Sequence, residues 1–107
     1  METIEKLHKN GIFLNIDDVA RLCQKYSVVE LSIFGSSLRD DFTQDSDVDI
    51  LVSFAHNTDI SLFGIMELEH EFSKLLSKEV DIIEKKSLKN PIRKNKILSS
   101  CEIIYAA

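Results

Sequence analysis

Two aspartates inside an otherwise apolar strand sequence constrain this chain more than any other feature. Asp47-Val48-Asp49 leads directly into Ile50, Leu51 and Val52. Aspartate is disfavoured in strands, and residues two apart on a strand point to the same face, roughly 6–7 Å apart along the chain. Two carboxylates that close repel each other unless a cation lies between them. The pattern therefore predicts either a cation site, for which Mg²⁺ is well suited, or a strand that begins at Asp47 with Asp49 on a solvated edge.

Two further features favour the cation site. A predicted strand over 28–34 ends in Gly35-Ser36, where a glycine lets backbone amides approach a phosphate. Asp81 lies in a second short apolar strand sequence, Val80–Glu84. If that strand lies beside the Asp47–Asp49 strand, three carboxylates converge, which is hard to explain without a metal. Two Mg²⁺ ions held in this way could align a nucleoside triphosphate with an attacking oxygen, and the third acid could act as general base.

The hydrophobic periodicity predicts an α+β fold, with strands separated by helices around one small sheet. Helices are expected over about 2–10, 16–26, 61–76 and 91–100, and a short helical turn within 38–46. Strands are expected over 28–34, 47–54 and 80–84, with an edge strand over 101–105. The length of 107 residues predicts a single domain, 1–107. The expected core includes Met66, Phe34, Phe54, Phe63 and Phe72.

Charge, hydropathy and cysteine content limit the functional classes. The net charge is −5, which disfavours a dedicated DNA-binding module. Residues 40–49 hold five acids and residues 85–96 hold six bases, which fits a metal site facing an anionic ligand or, alternatively, two unrelated solvated faces. No apolar run approaches the roughly 20 residues of a membrane span, and a cytoplasmic location is expected. Cys23 and Cys101 are expected to be buried thiols and not a disulfide.

The combined motif resembles that of a known family. Gly35-Ser36, ten intervening residues, Asp47-Val48-Asp49 and a later strand aspartate are similar to the signature of the minimal nucleotidyltransferases of the DNA polymerase β-like superfamily. The resemblance implies the nucleotidyltransferase fold and two Mg²⁺ ions held by Asp47 and Asp49. It also implies that Asp81 completes one metal site and activates the acceptor.

The same resemblance assigns the nucleotide contacts. It implies that Gly35 and Ser36 contact the triphosphate of ATP and that Arg39 is available for phosphate. The chain departs from the family pattern at Ser37, where a basic residue is frequent, and at Asp40, where a glycine is frequent. Together with Asp41 and Asp45, Asp40 adds negative charge near the expected nucleotide.

The resemblance also implies a partner. Stand-alone minimal nucleotidyltransferases are commonly antitoxins paired with HEPN-domain RNase toxins, and they silence the toxin by transferring AMP from ATP to one of its tyrosines. A chain this short is not expected to carry a separate domain for binding the acceptor, which favours a protein acceptor that brings its own surface. Two alternatives stay open: an antitoxin that acts by binding alone, and a small-molecule (aminoglycoside-like) nucleotidyltransferase. A homodimer is possible, and direct DNA or membrane binding is not expected.

Overall fold

The structure, a computed structural model, describes residues 2–56 and 58–107. Within that part of the chain, strands β1 (Val28–Phe34), β2 (Val48–Phe54), β3 (Val80–Glu84) and β4 (Glu102–Ala106) form one sheet. Their order is β3-β2-β1-β4. β1 runs antiparallel to both β2 and β4, whereas β2 and β3 are parallel. The predicted α+β class and the edge position of the last strand are therefore confirmed.

The helices are α1 (Glu2–Lys9), α2 (Ile16–Lys25), α3 (Leu62–Leu76) and α4 (Pro91–Ser100). Side chains cap three of them: Asn15 accepts from the Asp18 amide, Ser61 from the Gly64 amide and Asn90 from the Ile92 and Arg93 amides. Such caps satisfy amides that have no partner within the helix. None of the helices found in residues 2–56 and 58–107 combines the length and apolarity needed to cross a membrane.

Three helices cover one face of the sheet, which we call the thick face, and α4 covers the other, which we call the thin face. Val48, Ile50 and Val52 of β2 are buried beneath α1, α2 and α3, in a core that includes Phe72. Leu51 points the other way and joins a smaller cluster under α4, made with Phe34, Leu88 and Ile97. Because strand residues alternate between faces, Asp49 shares the thin face with Leu51.

The outer edge of β3 is covered by side chains of α3. The Val80 amide donates to Ser73 Oγ at 3.1 Å, and the Ile82 amide donates to Glu69 Oε2 at 2.8 Å. These amides point away from β2 and would otherwise be open to another strand. The helix that precedes β3 in the chain therefore also closes its free edge.

Several details differ from the sequence-based predictions. The helical turn expected within 38–46 instead occupies Gly35–Leu38, because Gly35 adopts a positive φ of 75° at which the chain turns at once. The prediction that Phe63 and Met66 are core residues is wrong, since α3 buries only the stripe of Leu68, Phe72 and Leu76. Both cysteines are free thiols as predicted, but Cys101 is half-buried.

Candidate active site

Asp49 and Asp81 lie directly opposite each other on the parallel strands β2 and β3. Adjacent strands are about 4.8 Å apart, so the two side chains leave the same face of the sheet as neighbours. Asp47 immediately precedes β2, whose start is held by the Val48 amide donating to the Glu79 carbonyl at 2.9 Å. The condition set by the sequence, that the Asp81 strand lie beside the Asp47–Asp49 strand, is met.

The carboxylate of Asp49 responds to its burial and to the charges around it. Burial raises the pKa of Asp49 above its ordinary value, and the negative charges of Asp81 and Asp47 raise it further. The positive charge of Arg39 acts in the opposite direction. A bound cation would relieve this repulsion.

Gly35 lies against the Asp49 carboxylate. Phe34 pairs with Asp49 across β1 and β2, so the chain turns at Gly35 directly beside that side chain. A Cβ atom at Gly35 would lie 2.5 Å from Asp49 Oδ2. The turn therefore brings backbone, and no side chain, next to the carboxylates, as close approach by a bound phosphate requires.

The side chain that follows the end of α1, Asn10, holds the turn after Gly35 in place. Asn10 Nδ2 donates to the carbonyl oxygens of Ser37 at 2.8 Å and Arg39 at 3.1 Å. Ser37 is fully buried, and its hydroxyl has no hydrogen-bond partner among the described residues. Sequence reasoning missed Asn10, because the only local signal there is the helix-ending Gly11.

Ser36 and Arg39 complete the set of expected phosphate contacts. Ser36 lies half-buried in the same turn, two residues after the end of β1. Arg39 is exposed, and its Nε lies 3.2 Å from Asp41 Oδ1. The guanidinium is thus near the site but is partly neutralised by one of the acids that distinguish this chain from the family pattern.

Two clefts flank the carboxylates. The Gly35 cleft, about 570 Å³, is lined by Gly35, Arg39 and Lys96 together with residues of α1. The Asp81 cleft, about 580 Å³, is lined by Asp81, the start of α3 and the segment that leads into α4. Asp49 links the two clefts, since it contacts Gly35 and pairs in register with Asp81. The basic segment 85–96 contributes cations to both.

The donor chemistry of the site fits Mg²⁺. Carboxylate oxygens are its preferred protein ligands, and it is usually held by one or two carboxylates completed by water and substrate phosphates. Among residues 2–56 and 58–107, no three histidine, cysteine or acidic side chains already close around a metal position. Asp47, Asp49 and Asp81 thus supply the oxygen donors that Mg²⁺ prefers, but they do not enclose an ion position in this structure.

Known proteins resemble this chain in sequence. The family described as nucleotidyltransferase domain matches residues 19–104. The protein adenylyltransferase MntA of Thermococcus cleftensis is 39% identical over 84 residues, which cover 78% of this chain and 80% of that protein.

Solved structures share the fold. A toxin–antitoxin complex with AMP-PNP contains a chain that superposes with a TM-score of 0.71 at 19% identity, covering 88% of this chain and 75% of that one. A tri-AMPylated Shewanella oneidensis HEPN toxin in complex with an MNT antitoxin gives a TM-score of 0.63 at 16% identity, covering 94% of this chain and 73% of the matched chain. At sequence identities this low, the structural similarity establishes the fold alone, which is the nucleotidyltransferase fold.

Proposed function

The chain belongs to the nucleotidyltransferase domain family and is a nucleotidyltransferase, and from that premise we propose that it is the antitoxin of a HEPN/MNT toxin–antitoxin pair. In this proposal it transfers AMP from ATP onto a tyrosine of its HEPN RNase partner and so neutralises the toxin. The observation that carries the proposal is the in-register pair of Asp49 and Asp81 with Gly35 against Asp49. Similarity to a protein adenylyltransferase supports a protein acceptor.

The transfer breaks a phosphoanhydride bond of ATP and forms a phosphoester bond to the tyrosine. The tyrosine oxygen forms a bond to the α-phosphorus of ATP, the bond from that phosphorus to the bridging oxygen breaks, and pyrophosphate leaves. The phenolic proton passes to the carboxylate of Asp81, which acts as general base. Backbone amides of Gly35 and Ser36 hold the triphosphate, and Arg39 adds positive charge beside it.

Two Mg²⁺ ions would be held by Asp47, Asp49 and Asp81. When bound, they would supply charge neutralisation for the triphosphate and the leaving pyrophosphate. Apart from activity, metal binding has its own readout: Mg²⁺ with a non-hydrolysable ATP analogue should raise the melting temperature of the wild-type chain. Asp47→Asn/Asp49→Asn should lose that increase, because a ligand stabilises only the folded state that binds it.

The decisive experiment is the intact mass of the partner after incubation with Mg²⁺ and ATP. This chain is co-expressed with the HEPN-domain protein encoded nearest to it. The partner should gain whole AMP masses with the wild-type chain and none with Asp47→Asn/Asp49→Asn. A partner that the double variant still modifies would contradict the mechanism.

A second candidate, neutralisation by binding alone, has one specific observation in its favour. Arg39, the expected phosphate contact, is paired with Asp41, and Asp40 and Asp45 add further negative charge nearby. If the partner mass stays unchanged while a stable complex forms, this candidate replaces the first. The free thiols of Cys23 and Cys101 support a cytoplasmic location for either candidate, and the use of ATP supports it for the first.

A further inference from the structure

Large apolar side chains are exposed at the start of α3. Leu62 is 73% exposed, Phe63 77% and Met66 53%. We call these three residues the α3 patch. Grouped exposed apolar side chains of this size, on one turn of one helix, are typical of an interaction surface.

The α3 patch is continuous with the Asp81 cleft. Leu62 lines that cleft together with Asp81. Phe63 and Met66 line a shallow groove of about 480 Å³ next to Tyr26 and Glu71. A protein seated on the α3 patch would therefore extend directly to the carboxylate that is expected to receive the acceptor proton.

The lining of the Asp81 cleft also includes two basic side chains. These are Lys89 and Arg93, and neither has an ion-pair partner among the residues that the structure describes. Lys85, from the same basic segment, is in contrast paired with Glu30 at 3.4 Å. In a chain of net charge −5, two cations left open beside an acid-rich site indicate a negatively charged ligand.

We propose that the α3 patch and the Asp81 cleft together form the docking surface for the acceptor protein. The surface fits a segment that presents an apolar or aromatic side chain to Leu62 and Phe63 and acidic side chains to Lys89 and Arg93. This inference rests on the proposed function, because it assumes a protein acceptor. The Gly35 cleft then holds the nucleotide, so donor and acceptor approach the carboxylates from opposite sides.

The test separates the KM for the acceptor from the KM for ATP. Leu62→Ser/Phe63→Ser and Arg93→Glu are made in the full chain and assayed with the HEPN-domain partner expressed and purified on its own. The matched controls are Phe13→Ser and Lys94→Glu. Phe13 is an aromatic residue outside the α3 patch and is 67% exposed. Lys94 is an exposed cation on α4 that does not line the Asp81 cleft. Affinity for the partner is also measured without ATP.

The patch and Arg93 variants should raise the KM for the partner about tenfold or more, as loss of one or two central apolar or cationic contacts does. The KM for ATP should stay within about twofold, and the controls should behave as the wild type. An unchanged KM for the partner would overturn the inference. A KM for ATP that rises as much as the KM for the partner would also overturn it, because that result would place the triphosphate in the Asp81 cleft.

The proposed function can fail separately. If the wild-type chain transfers no AMP, the affinity for the partner still decides the docking surface. Weakened binding by Leu62→Ser/Phe63→Ser, with Phe13→Ser unchanged, would support the surface without the chemistry. Equal affinities for all these variants would overturn it.

Discussion

Gly35 and Asp49 are in contact in a way that no other residue at position 35 could reproduce. A Cβ atom there would lie 2.5 Å from Asp49 Oδ2, and the backbone φ of 75° is one that side chains rarely adopt. The contact joins the turn expected to bind phosphate to the carboxylates expected to bind metal. Both the backbone shape and the carboxylate position therefore depend on the missing side chain.

Gly35→Ala should reduce stability and abolish nucleotidyl transfer. The positive φ alone costs about 1–2 kcal/mol, and the clash must displace the Asp49 carboxylate. Gly11→Ala is the matched control, since Gly11 has a φ of 78° but nothing within 4 Å of its added Cβ. Unfolding in urea and a transfer assay together test this prediction. Gly11→Ala should lose a similar free energy of unfolding and keep its activity. Equal losses of activity in Gly35→Ala and Gly11→Ala would contradict the role of the contact.

Asp49→Asn should make the free protein more stable at neutral pH while removing its activity. The pKa of Asp49 is raised in the folded chain, so ionisation of this group opposes folding at every pH above its folded pKa. Below the pKa of the unfolded chain the carboxyl is protonated in both states and the penalty vanishes. The melting temperature of the variant should thus exceed that of the wild type by a few degrees at pH 7, with the difference fading toward about pH 4.

The exposed Asp59, changed to Asn, serves as the control for that comparison. It should leave the melting temperature close to that of the wild type across the same pH range. A stability gain at Asp49 that did not fade as the pH is lowered would show that repulsion among the carboxylates is not its cause.

Asn10→Asp should weaken nucleotide binding as well as the fold. The change keeps the shape of the side chain but replaces the donor shared by the Ser37 and Arg39 carbonyls with an acceptor. Loss of these bonds, at about 0.5–1.5 kcal/mol each, should raise the KM for ATP roughly tenfold. Asn15→Asp is the control, because aspartate caps a helix as well as asparagine. An unchanged KM for ATP would limit Asn10 to a purely structural contact.

Glu69→Ala should destabilise the chain by about 1–3 kcal/mol, the cost of leaving a partly buried amide without a partner. The amide is that of Ile82, the residue after Asp81. Glu69→Gln keeps an acceptor oxygen and should recover most of the loss, while Glu67→Ala on the same helix should have little effect. The free energy of unfolding in urea measures all three, and a glutamine variant as unstable as the alanine variant would contradict the explanation.

Sequence periodicity is sufficient to predict the helices and the strands, because each depends on local alternation. The shared face of Asp49 and Asp81 depends in addition on β2 and β3 being neighbours, which the sequence sets only as a condition. Periodicity did not predict Asn10, whose two bonds join positions 27 and 29 residues apart. It also misassigned Phe63 and Met66, since an apolar residue on a helix is buried only where the helix overlies the sheet. The roles of Arg39 and Ser36 in phosphate binding stay predictions.

The α3 side chains that occupy the amides of Val80 and Ile82 also limit how this protein can polymerise. With β3 closed by Ser73 and Glu69, strand addition can occur only along β4, whose Ile103 is 51% exposed. Two copies joined antiparallel at β4 would form a continuous eight-stranded sheet that ends in a β3 strand on each side. Growth would stop there, so the sheet permits a pair of molecules but gives no template for a fibre.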